Sequence, residues 1–395
     1  MSYRYDPKLK KFEGTKLKTN LYDFFTLKEF FFSKEILTRY YLSLKTKPFV
    51  ILSGISGTGK TKIAQIFAEY MCQNDPVDEK GQRMAFVAVR PDWMDHKGLL
   101  GYFNILDEKY HSTKVLDLLL NAAEEKDKPF FVVLDEMNLA KVEHYFSDFL
   151  SIMESRTPDN PDGETIDLHP FSKVEDEKGR KIPGKIYIPA NVFFTGTVNV
   201  DESTYMFSPK VLDRANVIEF NEVDLHHYAG KVTDKHQGIA LLNGNVLDGL
   251  FDPENCRVCG KSDYQALPDQ AKNYIEQIHD ILSVYNLHFG YRVANELGRF
   301  VVLALEEIGD SCLNDAIDIQ ILQKILPKLH GTRAKLEEPL QKLLVFCNNG
   351  ETVSLTDSIP SATSDNHVRS FPRSGRKIER MLKQLTIQGY ASFVE

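Results

Sequence analysis

The chain predicts an α/β domain, with a parallel sheet and helices on both faces, followed by an all-helical domain. Three observations carry this. Five short apolar runs, at 49–53, 84–89, 129–135, 191–199 and 215–220, read as buried strands with helical patterns between them. Strands alternating with helices build a parallel sheet. From about residue 222 the strand signal fades and helical patterns dominate. Finally, the first strand runs into Gly54-Ile-Ser-Gly-Thr-Gly-Lys-Thr61, a G-x-x-x-x-G-K-T loop, and then into a helical stripe of Ile63, Phe67 and Tyr70. Strand, glycine loop and helix in this order are the context such a loop requires.

The bulk numbers agree. At 395 residues the chain has room for two or three compact domains. Its 42% hydrophobic and 26% charged content is that of a globular protein. No apolar run is long enough to predict a membrane helix, which needs about 18 residues. The start, Met1-Ser-Tyr-Arg-Tyr-Asp6, lacks the apolar core of a signal peptide. With five cysteines and no secretion signal, a reduced, cytoplasmic protein with no membrane partner is expected. A net charge of −8 weighs against a chain dedicated to binding DNA.

In chain order, residues 1–24 read as a lysine-rich, extended lead-in, too short for a domain of its own. The nucleotide-binding domain is expected over 25–221 and the helical domain over 222–395. Residues 25–46 carry apolar side chains at near-helical spacing and predict a helix before the first strand. Residues 90–106 read as a structured loop with a short helix, and Trp93, the only tryptophan, as a core or interface anchor. Residues 114–126 predict a helix. Asn138 to about Arg156 predicts another, amphipathic through Leu139, Val142, Phe146, Phe149, Leu150 and Met153. Residues 157–189, broken by prolines, glycines and a mixed-charge run, predict a protruding hairpin or loop. Beyond 222, helices are expected near 268–285, 293–308, 315–328, 336–347 and 373–388, with a polar loop at 349–370.

The loop sets the chemistry. Glycines at 54, 57 and 59 let the backbone turn several N–H groups toward one anion. The helix after it points its positive end at the same place. Gly54, Ile55, Ser56, Gly57, Thr58, Gly59, Lys60 and Thr61 are therefore the expected phosphate cradle. Lys60 reaches the β- and γ-phosphates, and the Thr61 hydroxyl ligates Mg²⁺. Asp135 ends a buried strand and is expected to hold the Mg²⁺ shell. Glu136 comes next as a candidate general base for the attacking water. A solvated turn is the plain alternative for this Asp-Glu pair, and the apolar strand before it argues against that. Asn199 ends the fourth strand, where its amide can bond the γ-phosphate or the lytic water. Asparagine at a strand end is otherwise a turn former. In Ser208-Pro-Lys-Val-Leu-Asp-Arg-Ala215, a short helix capped by Ser208 delivers Arg214 just before the fifth strand. Such an arginine can act on a neighbour's γ-phosphate. Its plain alternative is an ion pair with Asp213 or Glu219.

This set resembles the AAA+ family, and within it the McrB-like branch of modification-dependent restriction NTPases. The resemblance covers about residues 30–395. It rests on Lys47–Thr61, Leu134-Asp-Glu-Met-Asn138, Thr197-Val-Asn-Val-Asp-Glu202 and Phe207–Ala215, and in the helical part on Phe289-Gly-Tyr-Arg292, Gln323–Gly331 and Pro372–Leu382. It implies Walker A at Gly54–Thr61, Walker B at Asp135 and Glu136, sensor 1 at Asn199, an arginine finger at Arg214 and sensor 2 at Arg292. It further implies Mg²⁺ with ATP or GTP as substrate, a hexameric ring with hydrolysis between subunits, and an McrC-like nuclease or another partner protein. The best-known McrB proteins read Met-Asn-x-x-Asp around sensor 1, a feature associated with GTP. Here Val198 and Glu202 stand at the outer positions, which leaves ATP and GTP both open. Those proteins also carry an N-terminal domain that reads modified DNA. Contact with DNA is here expected through a partner or a separate domain.

Two further signals are weaker. Cys256-Arg-Val-Cys259 is half of a zinc ribbon, and a structural zinc needs four ligands. Free thiols in a surface loop are the preferred reading. Arg369, Arg373, Arg376, Lys377, Arg380 and Lys383 form a basic stretch with one acid, Glu379. It reads as a solvated face, or as a contact with an acidic neighbour or DNA phosphates. No Asp…Glu-x-Lys nuclease cluster sits on a predicted hairpin, so DNA cleavage would need a partner. Two alternatives to restriction stand beside it. One is a MoxR-like remodelling chaperone acting on protein complexes. The other is a non-hydrolysing scaffold, against which Glu136 and Arg214 argue.

Overall fold

The computed structural model describes residues 19–76, 81–157, 160, 162–200, 205–221, 238–241, 246–247, 249–252, 258–350 and 369–393. All five expected strands are present. β1 (Phe49–Gly54), β2 (Met84–Ala88), β3 (Phe130–Asp135), β4 (Val192–Asn199) and β5 (Asn216–Glu219) form one sheet. Its order is β2-β3-β4-β1-β5, and every pairing is parallel. The central strands are buried along nearly their whole length, which is why they read as unbroken apolar runs. Their register aligns the strand ends: Gly54 lies opposite Asn199, and Leu134 opposite Gly196. The carboxyl ends of β1, β3 and β4 therefore meet at one edge, where ligands bind in open α/β sheets.

The N-terminal pattern forms two helices rather than one, α1 (Leu21–Leu27) and α2 (Lys34–Thr46). Glu29 turns the chain through a left-handed φ of 61°. The Ser33 hydroxyl then caps α2 by accepting the Ile36 N–H at 3.2 Å. After α3 (Lys60–Met71) and β2, the stretch expected as a loop with a short helix holds that helix at Lys97–Leu100 and then a hairpin. Its strands, Gly101–Asn104 and Lys109–Ser112, pair antiparallel. Gly101 has φ 86°, and a Cβ there would collide with the His111 carbonyl. Trp93 is half-buried and packs edge-on to Tyr145, with 5.4 Å between ring centres.

Within the stretch expected as a protruding hairpin or loop, the described residues from 162 to 189 form a hairpin that is packed against the domain. Ile166 and Asp167 pair with Ile186 and Lys185, and Val174, Ile182 and Ile188 are buried. Lys178 pairs with Asp117 at 2.9 Å, and Arg180 reaches Asn121 and Glu124. All three partners lie on α4 (Lys114–Glu124). The Tyr110 N–H donates to the Glu175 carbonyl at 3.0 Å, joining this segment to the preceding hairpin. The helix expected over 138–156 is broken into a short turn at Met137–Leu139, a helix at Val142–Tyr145 and α5 (Ser147–Ser155).

The C-terminal part is helical, with α6 (Asp269–Ser283), α7 (Tyr291–Ile308), α8 (Leu313–Gln320), α9 (Arg333–Cys347) and α10 (Pro372–Gln388). A π turn at Ile321–Ile325 prolongs α8. The expected boundary near 222 lies outside the described residues. No helix among the described residues is long and apolar enough to cross a membrane.

Helix α2 is the seam between the two parts. Lys45 pairs with Glu307, and the Gln323 amide donates to the Ser43 hydroxyl at 2.9 Å. Below them Glu296 is buried between Lys47 and Lys324. Burial pushes its carboxyl up, but the two ammonium groups outweigh this and hold it at about 2. The Lys324 ammonium also donates to the carbonyls of Asp213 and Ala215, at 2.9 and 3.0 Å. Glu296→Ala would leave a fully buried ammonium without its counter-charge. The expected loss of stability is about 3–5 kcal/mol, read by chemical denaturation. An unchanged denaturation midpoint would contradict this role for Glu296.

Half of the basic stretch is folded inward. Arg373 pairs with Glu35, Asp315 and Asp318, Lys377 with Glu219, and Arg369 with Glu379. These three are therefore not free to meet DNA or an acidic neighbour, while Arg376 and Arg380 remain exposed.

Candidate functional site

The glycine loop takes the shape its sequence requires. Gly57 and Gly59 have φ of 80° and 92°, in the left-handed region that side chains avoid. Gly54 must also be glycine, because a Cβ would run into the Phe220 carbonyl at the end of β5. Ile55, Ser56 and Gly57 are exposed, and Thr58 is half-buried with its hydroxyl donating to the Ile55 carbonyl at 3.0 Å. Lys60 is buried, and its ammonium is folded over the loop, donating to the carbonyls of Gly54 and Ile55 at 2.8 and 2.6 Å. A cation, the N-terminus of α3 and a turn of backbone N–H groups thus share one spot.

Across the crevice the carboxylates are held firmly. Asp135 Oδ1 accepts from the hydroxyls of Thr61 at 2.7 Å and Thr197 at 2.6 Å. The Glu136 N–H donates to the Thr197 hydroxyl at 3.0 Å, and Glu136 Oε1 accepts from the Asn199 amide at 3.2 Å. Glu136 itself has φ 52° and ψ 50°, an uncommon conformation for a residue with a long side chain. Gly196 makes room for this turn, since a Cβ there would collide with Met137. The structure therefore brings together Lys60, Thr61, Asp135, Glu136 and Asn199. Thr197 joins them without having been expected from the sequence, although period-two alternation from Asn199 puts it on the same strand face.

Thr61 and Asp135 offer a hydroxyl and a carboxylate 2.7 Å apart. Two hard oxygens suit Mg²⁺, which takes its remaining ligands from phosphates and water. When bound, it would neutralise charge on the β- and γ-phosphates. Among the described residues, no group of three or more His, Cys, Asp or Glu is placed to hold a metal. Cys256 lies outside the described residues. The Cys259 thiol donates to the Thr46 carbonyl at 3.4 Å, and burial pushes it up to about 12.

Arg214 and Arg292 stand apart from this group. Both guanidiniums pair with Glu154, and Arg292 also pairs with Asp213. Arg214 further donates to the Lys210 carbonyl at 2.7 Å, and Lys328 closes the cluster on Asp213. Glu154 thus takes the place of Asp213 and Glu219, the ion-pair partners the sequence offered for Arg214. Asn216, two residues after Arg214, lies opposite Val50, four residues before Gly54. At about 3.3 Å per residue, that places it roughly 13 Å short of the glycine loop. Arg292, expected as a nucleotide contact, is accordingly not brought to the Gly54–Thr61 loop of its own chain. It sits beside Arg214, held by carboxylates far from it in sequence. Arg156 is also internal, with its guanidinium donating to the Ile188 carbonyl at 2.7 Å.

Residues 49–215 match the family model described as AAA domain (dynein-related subfamily). Residues 249–390 match a domain of unknown function, DUF8727. No curated protein matches the chain. Among solved structures, a DNA polymerase III gamma subunit-related protein from Thermotoga maritima aligns at 11% identity over 89% of this chain and 92% of its own. Its TM-score is 0.29, too loose a superposition to carry any argument. The family match and the geometry agree. The α/β part has the AAA+ fold, with a helical domain after it, and residues 49–215 are similar to a family whose members bind and hydrolyse nucleoside triphosphates.

Proposed function

We propose that the chain is the motor subunit of a McrB-type, modification-dependent restriction system. It binds ATP or GTP with Mg²⁺ and hydrolyses it between subunits of a ring, and the turnover drives a separate, McrC-like nuclease. One observation carries the intersubunit reading. A single chain supplies the phosphate cradle, the metal ligands and the base, while Arg214 and Arg292 lie together at the opposite end of the sheet. So placed, Arg214 is available to a neighbour's nucleotide rather than to that of its own chain. The motif set from Lys47 to Leu382 supports the restriction role.

In this site Lys60 and the loop N–H groups hold the phosphates. Glu136, aimed by Asn199, accepts a proton from the attacking water. The neighbour's Arg214 offsets charge that develops in the transition state.

The test combines the purified chain with the product of the neighbouring gene, on modified and unmodified DNA, with ATP or GTP. The expected result is DNA cleavage that needs both proteins and one of the nucleotides. Stimulated hydrolysis with intact DNA, and with the partner protein released from a complex, would favour the remodelling chaperone instead.

A further inference from the structure

We infer that Thr197 is a positioning residue for hydrolysis: its hydroxyl ties the Mg²⁺-facing carboxylate of Asp135 to the backbone that aims the Glu136 base. This rests on the NTPase reading above.

Thr197 is 2% exposed, in the middle of a parallel sheet. Burying a hydroxyl there is costly unless it is satisfied. It is satisfied twice, by the two residues that carry the chemistry. Its proton goes to Asp135 Oδ1 at 2.6 Å, and its oxygen accepts the Glu136 N–H at 3.0 Å. The second bond falls where the backbone most needs support. Glu136 lies in the left-handed region, and such conformations persist only when their surroundings over-determine them. Two residues along the same strand face, Asn199 holds the Glu136 carboxylate. β4 thus clamps Glu136 at its backbone and at its tip. Asp135 Oδ1 is likewise fixed from two sides, by Thr61 on α3 and Thr197 on β4. A single hydroxyl sets the direction of the base relative to the metal-facing carboxylate. Lys60 and the loop N–H groups, which hold the nucleotide, belong to other elements.

Turnover and binding should therefore separate. Hydrolysis by Thr197→Val and Thr197→Ser would be measured in the full chain, with Glu136→Gln as reference. Valine keeps the shape and loses both bonds; serine keeps both. Thr197→Val is expected to lower kcat about 10–100-fold, the usual cost of removing a group that orients a ligand or base. The nucleotide KM should stay near its native value, and Thr197→Ser should restore most of the rate. A Thr197→Val protein with native kcat, beside an inactive Glu136→Gln, would overturn the inference. So would a Thr197→Ser protein as slow as Thr197→Val, since the loss would then belong to packing. If thermal melting shows that Thr197→Val does not fold, Thr197→Ala takes its place with the same two outcomes. A Glu136→Gln protein that hydrolyses normally would instead overturn the NTPase mechanism itself.

Discussion

Glu136→Gln is expected to bind nucleotide as the native chain does and to lose about 10²–10⁴-fold in turnover, the contribution usual for a general base. The substitution is close to a pure test of basicity. The amide keeps an Oε1 acceptor for the Asn199 amide, 3.2 Å away in the native chain, and the backbone bond to Thr197 is untouched. Only the ability to take a proton from water is removed. The cradle at Lys60 and Thr61 is built from other elements, so affinity by calorimetry should be unchanged. A variant that retains its rate would remove Glu136 from the mechanism.

Arg214→Ala should have an effect of similar or larger size by a different route. Fingers of this kind contribute roughly 10³–10⁵ in kcat. Binding should again be near native, because the chain's own Lys60 and metal ligands remain. Folding should also survive. Arg214 and Glu154 form a partly exposed pair, and Arg292 stays on Glu154 when Arg214 is gone. A melting temperature close to native, with turnover lost, separates this result from a structural one. Loss of nucleotide binding would instead place Arg214 in its own chain's site.

Much of the fold and site was legible in the sequence because it is local. Each strand of the main sheet is a short apolar run, and the glycine loop needs only its own spacing and a strand before it. The features that escaped depend on contacts made at a distance. Arg292 is placed by Glu154 and Asp213, both far earlier in the chain, and no periodicity encodes that. The hairpin at 101–112 has strands of four residues, too short for alternation to show. Residues 157–189 looked unanchored because their partners, Asp117, Asn121 and Glu124, lie on an earlier helix. The break before α2 was readable in principle from Ser33, whose capping bond outweighed the apolar spacing on either side of it. Thr197 carried a weaker signal, a hydroxyl in a buried strand two residues before a site asparagine.

The most direct test of hydrolysis between subunits mixes two inactive proteins. Arg214→Ala retains Glu136, and Glu136→Gln retains Arg214. In mixed rings of the proposed kind, some nucleotides would lie between an intact Glu136 and a neighbour's intact Arg214. Steady-state hydrolysis should then reappear on mixing and rise toward a maximum near equal amounts. Rings that demonstrably contain both proteins and still do not hydrolyse would contradict action across the interface. Arg214 would then be a structural partner of Glu154 alone.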